Sequence, residues 1–287
     1  MFAIKKILLP IDFSPRFADA AEAAAVIAER FRSEITLLHV LAPRIEAPLA
    51  IPGQRTIVHS FAREEAEERM KEFRCDEWRS LKVQRVLREG DPARTIIEYA
   101  ESEHIDLIMI PTHGYGPFRR LLLGSVTAKV LHDAECPVWT AVHGEQQPSQ
   151  IPAKPRRIAC AVDLGTQSGD VLRWASRLSH EFGAPLSIIH ATAFDPQIEG
   201  YYLGPGWRDE IIREDMAKVT KFLEGEGVNG EIHIELGSVP EAVIECVREQ
   251  QADVLVIGRS AHSGVTGRLP TNAYAIIRSA PCPVLGV

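Results

Sequence analysis

The sequence predicts an α/β protein made of two tandem, doubly wound parallel sheets of five strands each, with helices on both faces. Three observations carry this expectation. Short apolar runs alternate with stretches of helical spacing, as β-α-β units require. Strand candidates include unbroken apolar runs such as DLIMI (Asp106 to Ile110), the pattern of a strand buried on both faces. The whole alternation then occurs a second time.

The repeat covers nearly the entire chain. KKILLPIDFSPRFADAAEAAAVIAERFRSEITLLHVL returns as RRIACAVDLGTQSGDVLRWASRLSHEFGAPLSIIHAT, with Asp12 opposite Asp163 and His39 opposite His190, both at an offset of 151 residues. Further on the offset becomes 147, pairing Gly90 with Gly237 and Asp106 with Asp253; DAECPVWTAV then matches SAPCPVLGV, pairing Cys136 with Cys282.

Taken in order, strands begin near Ile4, Glu34, Lys82, Asp106 and Cys136, and again near Arg156, Pro185, Glu231, Asp253 and Cys282, with a helix between each and the next. This alternation implies parallel strands joined by right-handed crossovers. The stretch 143–155, HGEQQPSQIPAKP, is polar, proline-rich and without apolar period, so it reads as a linker between domains at 1–142 and 156–287. The opening MFAIKKILLPID reads as a strand and a loop rather than a secretory signal.

Composition excludes several function classes. At 45% hydrophobic and 25% charged residues, with no run near the roughly 20 apolar residues of a membrane span, the chain reads as an ordinary soluble protein. Net charge is −7, and neither half has the basic excess of a nucleic-acid binder. Five cysteines without a C-x-x-C pair point to reduced thiols in a cytoplasm. No His, Cys and carboxylate set has metal-site spacing.

The most informative segment is PTHGYGPFRRLLLGSVTAKVL, Pro111 to Leu131. It follows an apolar strand, places Gly114 in a turn, and after nine intervening residues places Gly124 before Ser125, Val126 and Thr127 at a helix start. Ligands of open α/β sheets sit at the carboxyl ends of strands. Glycines admit a phosphate close to the main chain, and free helix amides with the Ser125 and Thr127 hydroxyls can donate to it. The same segment carries Arg119, Arg120 and Lys129 and no acid. Read in isolation, Gly124-Ser125 is equally a turn and an N-cap. His113 lies in this loop, where contacting a ligand and facing solvent are both open.

On the Asp of LLPIDFS, the HV after the second strand, and the spaced glycine motif ending in G-S, the chain resembles a tandem universal stress protein. The resemblance implies an adenine-nucleotide α-hydrolase-like, Rossmann-like fold. It also implies adenosine contacts at Asp12 and Val40 and phosphate contacts at Gly114, Gly124, Ser125, Val126 and Thr127. ATP or another adenine nucleotide is the implied ligand, with any Mg²⁺ held by the phosphates. Pro111 departs from the motif, whose first residue is glycine, and offers no amide. Copy two departs further. It keeps Asp163 and Gly258 but has Ala191, Ala261 and Thr271-Asn272 where copy one has Val40, Gly114 and Gly124-Ser125, and so reads as a degenerate site with a structural role.

His39 and His190 read as strand-end residues rather than catalysts, and the charge-rich stretch Arg63 to Arg79 as a solvated helix face with i,i+4 pairs. No G-x-x-x-x-G-K-S/T loop is present, and no carboxylate besides Asp12 is expected at the crevice, so efficient turnover is not expected and slow hydrolysis stays open. The expected function is a stress-response protein that signals by nucleotide occupancy. A binding-deficient interaction scaffold is the alternative. In the family, final strands pair between subunits, so VWTAV and VLGV are expected to pair within this chain as a pseudo-dimer, with a homodimer of chains left open.

Overall fold

Strand β1 (Lys6–Pro10) is buried along almost its whole length and β4 (Leu107–Ile110) entirely so. Successive strand residues point to opposite faces, so unbroken burial means that both faces are covered. The computed structural model describes residues 3–14, 17–42, 54–74, 77–112, 123–142, 154–193, 206–259 and 271–287. The expected linker lies outside them, save its last two residues.

The chain divides into two compact units, one of residues 1–117 and 124–137, the other of 118–123 and 138–287. In the first, β1 leads through α1 (Phe17–Phe31), β2 (Glu34–Leu41), α2 (Gln54–Glu72), β3 (Lys82–Glu89) and α3 (Pro92–Ser102) to β4 and then α4 (Ser125–Asp133). The strands lie in the order β3-β2-β1-β4, all parallel. Helix α1 buries Phe17, Ala20, Ala21, Ala24, Ile27 and Ala28, the i, i+3, i+4, i+7 stripe of a helix laid on a sheet. Its alanines bring the helix close to β1.

The second unit starts with β5 (Val138–Thr140) and continues through β6 (Ile158–Ala161), α5 (Ser168–Phe182), β7 (Leu186–Ala193), α6 (Trp207–Glu226) and β8 (Glu231–Gly237). Then come α7 (Val239–Glu249), β9 (Val254–Ile257), α8 (Thr271–Ser279) and β10 (Val284–Gly286). Five parallel strands run β10-β9-β6-β7-β8, repeating the strand order of the first unit. Strand β5 adds to β10 antiparallel, with Trp139 opposite Leu285. The final strands of the two sequence copies are thus paired, and β5 packs with the second unit although it belongs to the first repeat.

The repeat reaches into backbone detail. Residues of positive φ occur at matched positions: Phe13 (59°) and Leu164 (59°), Arg32 (57°) and Gly183 (63°), Gly90 (148°) and Gly237 (145°), His104 (53°) and Gln251 (49°). Asp106 Oδ2 accepts the N–H groups of Lys5 and Lys6 at 2.7 and 2.8 Å, and Asp253 Oδ2 those of Arg156 and Arg157 at 2.7 and 3.0 Å. Each carboxylate therefore satisfies the amides that lead into the central strand of its sheet. Of the described cysteines, Cys160, Cys246 and Cys282 are buried and Cys136 half-buried, and none of the four is in a disulfide. Among the described residues no helix is long and apolar enough to cross a membrane.

Candidate nucleotide site

A cavity of about 340 Å³ opens in the first unit at the carboxyl ends of β1, β2 and β4, the size range of small-molecule sites. It lies at the switch point of the sheet, because β1 connects outward to β2 on one side and pairs with β4 on the other. Asp12, Val40, Pro111, Gly124, Ser125, Val126 and Thr127 all line it. Residues far apart in sequence and expected at one site are therefore brought together. His113 and Gly114 lie outside the described residues, as do Arg119 and Arg120.

The first wall is set by the end of β1. Asp12 Oδ1 accepts the Ser14 N–H at 2.9 Å, a local turn that carries the chain through Phe13 in the left-handed region. The imidazole of His39 lies 2.7 Å from the Ile11 carbonyl through Nδ1. A carbonyl only accepts, so Nδ1 carries the proton and His39 stitches the end of β2 to the end of β1. His190 makes the same bond to the Val162 carbonyl at 2.8 Å. Both histidines thus bridge neighbouring strand ends, and His39 also lines the cavity. Phe13 packs on His39 at 4.8 Å between ring centroids and carries the Arg69 guanidinium 4.3 Å above its own ring.

The second wall is the start of α4. Its first intrahelical bond runs from the Ala128 N–H to the Gly124 carbonyl at 2.8 Å, which leaves the amides of Ser125, Val126 and Thr127 without an intrahelical acceptor. Gly124 is the N-cap and has no side chain to satisfy them, and Ser125 is already inside the helix. The reading of Gly124-Ser125 as an ordinary serine cap therefore does not hold. Three donors at the positive end of a helix dipole border the cavity, an arrangement suited to an anion.

Thr127 differs from expectation. Its hydroxyl donates to the Pro111 carbonyl at 2.8 Å, and the residue is only 4% exposed. Its proton is committed to the protein, so its amide, not its hydroxyl, is the group left for a phosphate. The same bond explains how proline is accommodated, since Pro111 contributes a carbonyl and needs no amide. The Gly124 N–H is likewise held by the Thr112 carbonyl at 2.9 Å. Ser125 is exposed and its hydroxyl remains the side-chain donor at this end. Beyond it, Lys129 lies 3.7 Å from Asp91, the residue that caps α3.

The second unit builds the corresponding crevice differently. Asp163 Oδ1 accepts both the Gly165 N–H at 2.8 Å and the Ser168 hydroxyl at 2.9 Å. Phe17 stands at the position of Ser168 in the first copy, so Asp12 has no such partner. Gln167 Oε1 comes within 3.1 Å of where a Cβ on Gly258 would stand, which sets this side chain against the end of β9. The stem of Arg259 packs on Gly286 of β10.

The helix starts also correct the alignment of the two copies. Helices α4 and α8 are both nine residues long and begin at Ser125 and Thr271, so Thr271 matches Ser125, Asn272 matches Val126, and Ala273 matches Thr127. The preceding loop is one residue shorter in copy two, which shifts the offset from 147 to 146. Pro270 thus replaces Gly124 and, with Ala261, lies outside the described residues. Ala191 sits on β7 in register with Glu235.

One polar cluster escaped sequence reasoning. Asp215, 5% exposed, accepts the Thr192 hydroxyl at 2.6 Å and the Lys218 ammonium at 2.8 Å. Burial pushes its carboxyl up, but hydrogen bonds from Lys218 and Thr192, with the charge of Lys218 and the neighbouring His190, outweigh this and hold it below the usual aspartate value. The signal was present, because Asp215 shares the buried stripe of Val219 and Leu223 on α6. Among the described residues no group of three or more His, Cys, Asp or Glu side chains is placed to hold a metal ion.

A doubly wound sheet with a crevice at its switch point, bordered by a helix start that no side chain caps, places the chain among the doubly wound α/β proteins. Within that class, the chain belongs to the universal stress protein family, whose sequence model matches residues 3–141 and again 154–287. A universal stress protein of Mycolicibacterium smegmatis is 27% identical over 289 residues, covering 98% of this chain and 96% of its own length. One from Methanocaldococcus jannaschii is 35% identical over 136 residues, 47% of this chain and 79% of its own. The crystal structure of a universal stress protein from Archaeoglobus fulgidus superposes with a TM-score of 0.71 at 23% identity, over 99% of this chain and 98% of that one. At that identity the likeness speaks for the fold.

Proposed function

We propose that the first unit binds an adenine nucleotide, ATP or a close relative, and that the protein acts in a cytoplasmic stress response through occupancy of this site rather than through turnover. The observation that carries the proposal is the convergence, around one cavity of about 340 Å³, of three helix amides without an acceptor among the described residues, the Asp12 carboxylate and the strand end at Val40. The amides and the Ser125 hydroxyl suit phosphates. Asp12, with Oδ1 held by Ser14, suits a ribose hydroxyl, and the apolar lining from Ile11, Val40 and Ile96 suits a base. Any Mg²⁺ would be held chiefly by the phosphates. Among the described residues Asp12 is the one carboxylate lining the cavity, and in this reading it is engaged with the ligand rather than acting as general base for a water.

The test is to denature the purified protein and to identify and count the nucleotide released. Recovery of near-stoichiometric adenine nucleotide supports occupancy. A nucleotide-free protein that also fails to bind ATP on titration favours the interaction scaffold, and product release over many turnovers favours a hydrolase.

A further inference from the structure

Phe13 stands between Asp12 and Ser14 at a φ of 59°, in the left-handed region that a bulky residue rarely adopts. Asp12 Oδ1 accepts the Ser14 N–H across it, so the conformation of Phe13 sets where the Asp12 carboxylate lies. A residue with a Cβ held there carries a strain that its surroundings have to offset. Two side chains meet its ring. The His39 imidazole is 4.8 Å away between centroids, and the Arg69 guanidinium of α2 lies 4.3 Å from the ring centroid. His39 is bound in turn to the Ile11 carbonyl, one residue before Asp12, and lines the cavity together with Asp12. The turn is thus held through its backbone at Ile11 and through its side chain at Phe13, all within the first unit.

The second repeat has the same turn and holds it by other means. Leu164 also stands at 59° but brings no ring, and Asp163 Oδ1 takes two hydrogen bonds, from the Gly165 N–H and the Ser168 hydroxyl. Among the described residues Asp12 Oδ1 takes one, from Ser14. A carboxylate has about four acceptor positions, and each that the protein itself fills is lost to a ligand. Contacts made behind the turn fix the carboxylate without filling any.

We propose that Phe13 is a positioning residue for Asp12: its ring, packed on His39 and covered by Arg69, holds the Asp12 carboxylate in place for a ribose hydroxyl before the nucleotide arrives. This rests on the nucleotide reading above and deepens it by naming what orders the ribose end of the site. A site ordered in advance spends less of its interaction energy on ordering.

The experiment compares wild-type, Phe13→Leu and Phe13→Tyr proteins as full chains. Leucine is the residue that the second repeat carries at this φ, so the backbone tolerates it, and tyrosine keeps the ring. Calorimetry gives the Kd for ATP and for 2′,3′-dideoxy-ATP, which keeps base and phosphates and lacks both ribose hydroxyls. NMR follows hydrogen exchange of the Ser14 amide without nucleotide. Phe13→Leu is expected to raise the Kd for ATP about two- to tenfold, the range of one net hydrogen bond, and to leave that for the dideoxy analogue as in the wild type. It is also expected to speed Ser14 exchange. Phe13→Tyr is expected to match the wild type in all three measurements.

Unchanged Kd for ATP in Phe13→Leu overturns the proposal, as does unchanged exchange at Ser14. Equal losses for ATP and the dideoxy analogue point to a packing role and overturn it too, and so does a Phe13→Tyr protein that behaves like Phe13→Leu. The wild type alone tests the underlying reading. If it binds neither compound the nucleotide site fails, and if it binds both equally the ribose contact of Asp12 fails; either result takes the role in binding with it. Ser14 exchange, which needs no nucleotide, then shows whether Phe13 holds the turn.

Discussion

The Thr127 hydroxyl stands 2.8 Å from the carbonyl oxygen of Pro111, tying the third residue of α4 to the chain leaving β4. Both groups are buried. Removing the donor would strand a buried carbonyl, so Thr127→Val is expected to cost about 1–3 kcal/mol of stability, while Thr127→Ser keeps most of it. Denaturant midpoints of the two variants decide this, and equal midpoints would show that the bond is dispensable.

Steric access to the helix amides sets the second expectation. Gly124 and Ser125 both line the cavity. Gly124→Val is expected to abolish ATP binding by filling the approach to the amides, and Ser125→Ala to weaken it by about 1–3 kcal/mol, the scale of a hydrogen bond to a charged group. Both variants should stay folded. A folded Gly124→Val protein with wild-type affinity would remove phosphate binding from this helix start.

Stoichiometry follows from the difference between the crevices. Asp163 is occupied by Ser168 and Gly165, and Gln167 is set against Gly258, so the second crevice is engaged by its own side chains. Titration of nucleotide-free protein should therefore find one tight adenine nucleotide per chain, unaffected by Asp163→Ala. Two equivalent sites, or loss of binding in Asp163→Ala, would reverse the assignment.

Arg32 ends α1 at a φ of 57°, in the left-handed region where the second repeat has Gly183. A side chain with a Cβ pays roughly 1 kcal/mol there. Arg32→Gly is therefore expected to stabilise the protein by about that amount at equilibrium unfolding, and an unchanged or lower denaturant midpoint would show that the left-handed turn carries no such cost here.

The buried Asp215 makes stability depend on acid pH. Its carboxyl is held below the ordinary aspartate value of about 3.9, so its contribution is present above that value and is lost as pH falls through the lower folded pKa. Wild-type protein should lose stability below about pH 4 more steeply than Asp215→Asn, whose amide cannot titrate. Parallel acid limbs in the two proteins would exclude this account.

Much of the architecture was legible because the information is local and stated twice. Continuous apolar runs at Leu107 and Val254 mark buried parallel strands, and a constant offset pairs Asp12 with Asp163 and His39 with His190. The glycine-serine helix start was also legible, since orphan amides are a property of any helix that begins without a cap. Contacts made through folding were not. Thr127 turns inward because the end of β4 happens to present the Pro111 carbonyl, Arg69 comes to lie over Phe13 from α2, and a loop shorter by one residue shifts Thr271 into register with Ser125. Asp215 was hidden by its chemistry, because a charged residue on a helix is read as solvated until the stripe it shares with Val219 and Leu223 is noticed.

Strand β5 carries the sequence of one repeat and the packing of the other unit, with Val138, Trp139 and Thr140 closing the edge of β10. In a single-copy protein such an edge has to be met by another molecule, at whatever dilution the cell provides. Here β5 and β10 belong to one chain, so their pairing is intramolecular and closure no longer depends on how much protein is made. Fusion has a genetic side as well. Once β5 and β10 share a reading frame, every substitution on one strand is inherited with its partner, and the two copies are free to diverge without losing each other.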